Sequence, residues 1–231
     1  MTTAQQIHRR LCVLGDAATA AQAKRFFKTG PGEYGEGDRF LGIRVPVLRK
    51  LAKELAGTSI DDATELLQSP DHEARLLALL ILVQQAPKNG PAVYRAYLAN
   101  THRINNWDLV DVTAAQIVGT HLFARSRKPL YRLAKSSRLW ERRIAIISTV
   151  HFIRKNDFAD TLALADILLN DPEDLMHKAV GWMLREVGNR DLKTETDFLL
   201  PRYKTMPRTQ LRYAIERFPE PLRLAFLHGT A

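Results

Sequence analysis

One carboxylate stands where the internal repeat of this chain otherwise places apolar residues. Five segments align at spacings of 34, 34, 35 and 34 residues, with these residues in register: Arg75, Leu109, Arg143, Lys178 and Arg212. Two positions further along, the second segment carries Asp111, and the others carry Leu77, Ala145, Val180 and Ala214. A period in this range is typical of stacked helix pairs, which bury their apolar faces against neighbouring units. An acid at such a position is costly to desolvate, so Asp111 is a candidate for chemistry.

Tryptophans accompany this acid at helical spacing. Trp107 precedes Asp111 by four residues, which places both side chains on one face of a predicted helix. A carboxylate can stabilise positive charge that develops in a reaction, and an indole can bind a cationic or aromatic ligand. Trp182 lies four residues after an aligned position of the repeat, whereas Trp140 lies three before one and is expected to pack between units. The alternatives are an early-helix acid paired with an arginine and tryptophans that belong to the core.

Helical periodicity runs through nearly the whole chain, without convincing strand alternation or hairpin signals. Helix starts are marked by residues that commonly occupy N-caps and first turns, namely Pro46, Ser59 with Asp61 and Asp62, Asp71, Asp171 and either Asn105 or Asn106. Asp108 is expected to favour the helix dipole from a first turn. We therefore predict an all-α protein of about a dozen helices, arranged as an α-α superhelix (solenoid).

The chain is expected to form a single domain over residues 1–231. Residues 1–28 are predicted to be an N-terminal helical pair, and residues 45–228 hold the repeats. Between them lies an irregular segment, Thr29–Arg44, that is rich in glycine and charge. A long loop in a tightly turned array is either functional or a connector, and the sequence leaves both alternatives open.

The composition excludes several classes of protein and of site. The single cysteine, Cys12, leaves no internal disulfide and no cysteine-rich zinc site. The seven histidines lack metal-binding spacing, and each is interpreted as an isolated surface or core residue. Neither a P-loop nor a Gly-x-Ser-x-Gly nucleophile motif occurs. Because the sequence has neither a long apolar run nor a signal peptide, we expect a cytoplasmic protein without a membrane span.

Basic residues predict a polyanionic partner. The net charge is +9, and most of it falls in the second half of the chain. The segment from Arg125 to Lys155 holds one acid, Glu141, among many lysines and arginines. The aligned basic positions of the repeat would form a row on equivalent helices, which suits nucleic acid. The alternative is a solvated basic face whose arginine stems cover neighbouring apolar surface.

Several segments carry a family resemblance: Asn105–Asp111, Phe40–Ile43 with Pro46, Trp140–Arg143, and Lys178–Trp182 with Leu184–Glu186. The first resembles the Trp-Asp-x-Val-Asp motif of the AlkD-like DNA glycosylases, which are HEAT-like-repeat enzymes of bacterial alkylation repair. The resemblance runs from about residue 25 to about residue 220. It implies that the solenoid consists of HEAT-like helical repeats.

The resemblance also implies a reaction, namely hydrolysis of the N-glycosidic bond of N3- and N7-alkylated purines in duplex DNA, without base flipping. Asp111 would be the catalytic residue in its ionised form. Trp107 and Trp182 would contact the deoxyribose of the damaged nucleotide, and Trp140 would be structural. Residues expected to bind DNA, with Arg143 on a phosphate, are Arg143, Lys178, Arg185, Arg212, Arg75 and Arg44.

No cofactor or metal is expected, and the expected partner is double-stranded DNA containing alkylated purines, bound by a monomer at the bacterial nucleoid. No motif places a Schiff-base lysine, so no strand-cleaving step is expected. Asn106 stands where some family members have an aromatic residue, which bears on substrate range. Two alternatives are a catalytically silent HEAT-like protein that binds structured or branched DNA, and a protein–protein scaffold. The presence of Asp111 with Trp107 and Trp182 favours the enzyme.

Overall fold

The computed structural model describes residues Thr2–Ala231, and over these residues the protein is all-α, as the periodicity predicts. The one β-type pairing in this range is an isolated bridge between Arg39 and Asp71. None of the helices in the described range is long and apolar enough to cross a membrane. The chain groups into two compact units, a first that ends at Ile117 and a second, Val118–Ala231.

The first unit begins with two helices, continues through an irregular segment, and ends in four further helices. Its helices are α1 (Thr3–Leu14), α2 (Ala17–Phe26), α3 (Val45–Glu54), α4 (Ile60–Leu67), α5 (His72–Ala99) and α6 (Trp107–Asp111). α1 and α2 lie within the predicted N-terminal segment, and the irregular segment separates them from α3. α5 packs against α3 and α4, and its first turns are enclosed on all sides, with every residue from Asp71 to Leu79 buried. This enclosure makes α5 the central support of the unit.

A kink divides α5. Asn89 has φ −121° and ψ 28°, outside the helical range. Pro87 and Pro91 flank it, and each lacks the backbone N–H that would continue the helical hydrogen-bond ladder. The second half of α5 therefore takes a separate direction and leads into a 3-10 turn, Thr101–Arg103, just before α6.

The second unit is built around α12. Its helices are α7 (Thr120–Leu122), α8 (Lys128–Ala134), α9 (Leu139–Ser148), α10 (Val150–Ile153), α11 (Ala159–Ile167), α12 (Asp174–Gly188), α13 (Leu192–Leu199), α14 (Arg208–Ala214) and α15 (Glu220–His228). α12 packs against α9, α13 and α14. Gly181 makes the α12–α14 contact possible, because a Cβ there would lie 2.4 Å from the Gln210 carbonyl oxygen.

Most of the predicted helix starts are confirmed. Ser59 caps α4, where its hydroxyl accepts from the Asp62 N–H, and Pro46 lies in the first turn of α3. Asn106 caps α6 and accepts from the Trp107 N–H. Asp71 is the N-cap of α5 but makes no capping hydrogen bond with its side chain.

The prediction for Asp171 is wrong, because Glu173 is the N-cap of α12. The Asp171 carboxylate instead accepts from the Glu173 N–H and from the guanidinium of Arg142, at 2.6 Å for the Arg142 Nε contact. An acid near a helix start therefore serves here as the partner of an arginine on α9.

The aligned positions of the repeat all fall in helices, namely α5, α6, α9, α12 and α14. Two residues beyond them, Leu77, Ala145, Val180 and Ala214 are fully buried. This burial agrees with the prediction that this position of the repeat is packed in the interior. The superhelical stacking of HEAT-like repeats stays a prediction.

Candidate functional site

Asp111 differs from its four register equivalents in exposure as well as in chemistry. It is the last residue of α6 and is half-buried, whereas the equivalents are fully buried. Its side chain lines a cavity of about 430 Å³ in the first unit. The other lining residues are Arg49, Ala52, Lys53, Leu80, Val83, Gln84, Val112 and Gln116. The acid at the exceptional position therefore faces open space between α3 and α5.

The wall behind α6 is firmly packed. Tyr97 of α5 is fully buried, and its hydroxyl lies 3.0 Å from Thr113 Oγ1. Thr113 in turn donates to the Leu109 carbonyl oxygen at 2.5 Å. Burial, and to a lesser degree the negative charge of Asp111, raises the pKa of Tyr97, so this hydroxyl stays neutral. These contacts fix the end of α6 that carries Asp111.

Trp107 belongs to an aromatic cluster at the start of α6. Its ring stacks on Phe27 at 5.4 Å and meets Phe26 edge-on at 5.9 Å. Its indole N–H donates to the Tyr34 hydroxyl at 3.3 Å. Trp107 is half-buried, so part of the ring remains accessible. Tyr34 lies in the irregular segment, which favours a positioning role for Thr29–Arg44 over that of a simple connector.

A buried polar network lies beneath this cluster, and sequence reasoning missed it. His72 bonds through Nε2 to Asp108 at 2.8 Å and through Nδ1 to Asp38 at 3.2 Å. Asp38 also accepts from Arg75 at 2.7 Å and from Asn105 at 2.8 Å. The network therefore joins the irregular segment, α5 and α6. The sequence interpretation treated His72 as an isolated residue and Asp108 as a first-turn acid.

The charge of the network follows from its contacts. Burial opposes the charged form of His72, but hydrogen bonds to Asp108 and Asp38 outweigh it and raise its pKa to about 9. Burial likewise opposes ionisation of Asp38, but bonds from His72, Arg75 and Asn105 lower its pKa. An imidazolium between two carboxylates, one of which also binds a guanidinium, leaves no uncompensated charge in the interior.

A spacing signal could have identified this network. Asp38 and His72 are 34 residues apart, and His72 and Asp108 are 36 residues apart. Both separations are close to one period of the repeat, so polar residues one repeat apart meet in the interior of the first unit. A search for polar as well as apolar residues at that period would have singled them out.

Glu73 anchors the end of the irregular segment. Its carboxylate accepts from the backbone N–H groups of Leu41, Gly42 and Ile43 at 2.9, 2.8 and 3.2 Å. Gly42 has φ +83°, and a Cβ there would lie 2.0 Å from the Asp16 carbonyl oxygen. Glycine at position 42 is therefore required by the turn whose backbone N–H groups bind the buried Glu73 carboxylate.

Arg75 does not lie on an exposed basic row. Its side chain is 3% exposed and ion-paired with Asp38. It also donates to the carbonyl oxygens of Ser69 and Pro70 at 3.1 and 2.9 Å, just beyond the end of α4. The prediction of a surface position is wrong, because the guanidinium satisfies carbonyl groups that follow a helix end. A guanidinium in this position is not available to a DNA phosphate.

The other predicted basic contacts vary in exposure. Arg143 is buried as well, so it does not lie on the predicted exposed row either, and its Nη1 donates to the Leu175 carbonyl oxygen at 2.7 Å. Lys178 is partly exposed and pairs with Asp174 at 2.7 Å, and Arg185 pairs with Glu216. Arg212 is exposed on α14, and Arg44 is exposed at the N-cap of α3.

Trp182 lies on α12 in the second unit. It is half-buried, and its indole N–H donates to Glu186 Oε1 at 3.0 Å. It lines a cavity of about 140 Å³ together with Val150, Ile153, Arg154, Glu186 and Arg190. Trp140 is also half-buried, on α9. Among the described residues, no cluster of three or more His, Cys, Asp or Glu side chains could hold a metal ion.

Comparison with known proteins identifies the family. The family model of the DNA alkylation repair enzymes matches residues 7–218. The chain belongs to this family. The DNA alkylation repair enzyme fold is also seen in a solved structure, a "Predicted DNA alkylation repair enzyme from Enterococcus faecalis". That structure has 16% sequence identity and a TM-score of 0.72, over 89% of this chain and 97% of the other. No curated protein matches the chain. Membership confirms the AlkD-like assignment and favours a role in DNA alkylation repair.

Proposed function

We propose that the protein is a monofunctional DNA glycosylase that hydrolyses the N-glycosidic bond of N3- and N7-alkylated purines in duplex DNA, without base flipping. The observation that carries the proposal is Asp111, a half-buried carboxylate that lines an open cavity where four equivalent residues are fully buried. Family membership supports alkylation damage as the target.

The chemistry of the lesion explains why one acid is enough. Alkylation at N3 or N7 gives the purine a positive charge, so the base is already a good leaving group and needs no general acid. The barrier arises from positive charge that develops on the sugar as the bond breaks. Ionised Asp111 would stabilise that charge and orient the attacking water. Ordinary glycoside hydrolysis differs in needing two carboxyl groups.

The tryptophans are proposed to contact the deoxyribose. Each indole face would add a cation–π attraction to the developing charge, about 1–2 kcal/mol at best. For Trp107, the stack on Phe27 and the hydrogen bond to Tyr34 would hold the ring in one orientation. For Trp182, the bond to Glu186 would have the same effect. A fixed ring loses little conformational freedom when a substrate binds.

Basic residues are proposed to bind the phosphates. Arg44 and Arg212 would act from exposed positions, and Lys178 and Arg185 would exchange their surface carboxylates for phosphate. Arg143 would contact a phosphate from a buried position, where the Leu175 carbonyl oxygen orients its guanidinium.

The test is incubation of the protein with methylated duplex DNA, followed by chromatography of the released bases and analysis of the strand. We expect release of 7-methylguanine and 3-methyladenine with the abasic strand left intact. Strand cleavage without added base would contradict the monofunctional reaction. Tight binding of duplex or branched DNA with no base release would indicate a silent DNA-binding protein.

A further inference from the structure

We propose that the cavity beside Asp111 binds a phosphodiester flanking the damaged nucleotide, with Arg49 and Lys53 as its cationic contacts. This inference rests on the proposed glycosylase function. Arg49 and Lys53 belong neither to the aligned positions of the repeat nor to the segments that carry the family resemblance. Both line the same cavity of about 430 Å³ as Asp111.

The position of the two cations suits a common ligand. Arg49 and Lys53 are one turn apart on α3, so their side chains leave the same face of the helix. Both are exposed. Among residues Thr2–Ala231, neither charged group has an ion pair or hydrogen bond, whereas Arg10 in the same unit is paired with Glu54 at 2.6 Å. Two positive charges and one carboxylate, that of Asp111, therefore border one cavity, which leaves an excess of positive charge there.

The reaction needs compensating charge at this place. Each strand of duplex DNA carries one negative charge per roughly 3.4 Å of helix axis. A carboxylate that approaches a deoxyribose comes within a Debye length, about 8–10 Å, of the flanking phosphates and is repelled. Arg49 and Lys53 offset this repulsion because they attract the same phosphates into the cavity that Asp111 lines.

The rest of the lining fits a sugar–phosphate. Ala52, Leu80, Val83 and Val112 supply apolar wall, against which a deoxyribose can pack. Gln84 and Gln116 are exposed amides that can donate to phosphate oxygens, a common kind of backbone contact in protein–DNA complexes. These groups position a backbone and carry no base-specific readout.

The experiment compares wild type with the double variant Arg49→Ala/Lys53→Ala and with Lys50→Ala. Lys50 is the matched control, since it is exposed on the same helix but does not line the cavity. Binding to a short undamaged duplex is measured over a range of salt concentrations. Release of 7-methylguanine from the same duplex carrying one lesion is measured at subsaturating DNA, with melting temperatures as the folding check.

We expect the double variant to lower the magnitude of the slope of log K against log salt by about 1–2, as for the loss of one or two phosphate contacts. Base release at subsaturating DNA should fall at least about tenfold, because binding weakens. Lys50→Ala should behave as wild type. An unchanged slope in a folded double variant, or an equal loss in Lys50→Ala, would overturn the inference. A wild type that releases no base, with the slope change intact, would instead remove the glycosylase proposal and keep the phosphate contact.

Discussion

At the residue scale, the position of Asp111 is one where folding and the proposed chemistry favour different side chains. Leu77 and Val180 show what the fold uses at this register position, a fully buried apolar side chain. A carboxylate that lines an open cavity contributes little packing there and keeps access to solvent. Such a residue is expected to be dispensable for stability and indispensable for catalysis.

Replacement of Asp111 by leucine tests this separation. We expect Asp111→Leu to keep the wild-type melting temperature or raise it by up to about 2–4 °C, since 1 kcal/mol corresponds to that range for a chain of this size. Base release should be abolished. A large fall in the melting temperature would show that Asp111 holds the fold together.

Residues in register differ in ways that a spacing cannot reveal. The register correctly placed Arg75 on a helix, but its guanidinium reaches the interior because Asp38 and the carbonyl groups after α4 lie within hydrogen-bond distance. Asp38 lies in the irregular segment, and its approach to Arg75 depends on how that segment folds. The sequence therefore predicts which helix carries a residue better than which way its side chain turns.

At the element scale, α6 is held from two sides. Asp108 is hydrogen-bonded to His72 of α5, and the Trp107 indole N–H donates to the Tyr34 hydroxyl of the irregular segment. A five-residue helix has little intrinsic stability, so tertiary contacts must fix it. The helices and most of their caps could be predicted from the sequence, because caps and periodicity are local. The contacts of His72 join three separate elements, and the only signal for them in the sequence is the separation of Asp38, His72 and Asp108 by about one repeat period.

The His72 network predicts a pH dependence of stability. The pKa of His72 rises from 6.5 in the unfolded chain to about 9 in the fold. Its contribution is therefore complete below pH 6.5 and is lost as pH rises through about 9. Below pH 6.5, we expect the free energy of unfolding of wild type to exceed that of His72→Gln by a few kcal/mol, at about 1.4 kcal/mol per pKa unit. The difference between the two proteins should become smaller as the pH rises toward about 9. Unfolding in denaturant at several pH values measures the gap, and a constant gap would contradict an imidazolium in the interior.

The α12–α14 contact gives a second element-scale prediction. A Cβ on Gly181 would lie 2.4 Å from the Gln210 carbonyl oxygen and 2.6 Å from Tyr213 Cβ. Gly181→Ala should therefore reduce the free energy of unfolding by about 1–3 kcal/mol through overpacking. Gly57→Ala is the control, because a Cβ there meets no atom within 4 Å. Equal stability of the two variants would mean that the helices can separate without loss.

At the scale of the whole molecule, charge is distributed unevenly. The net charge of +9 is concentrated in the second half of the chain, but part of that basic block is compensated by ion pairs. Arg127 pairs with Asp157 and Asp160, and Arg142 pairs with Asp171. The effective basic surface is therefore smaller than the count of lysines and arginines suggests.

Arg212 and Arg75 provide a matched comparison of exposed and buried register positions. Arg212→Ala should lower the salt slope of DNA binding by about 1 and leave stability unchanged. Arg75→Met should leave the slope unchanged and reduce stability by about 3–5 kcal/mol, because Asp38 loses a buried partner. Salt-titrated binding and denaturant unfolding of both variants check this. The opposite pattern would restore Arg75 to the binding surface.

The most direct measurement is release of 7-methylguanine from a defined duplex by wild type, Asp111→Asn and the exposed-acid control Asp61→Asn. DNA binding is measured on the same samples. We predict release by wild type and by Asp61→Asn, and a loss of about 10²-fold or more in Asp111→Asn, the size expected for removal of one transition-state contact, with binding retained. Release by Asp111→Asn at the wild-type rate, or no release by any of the three proteins, would contradict the account.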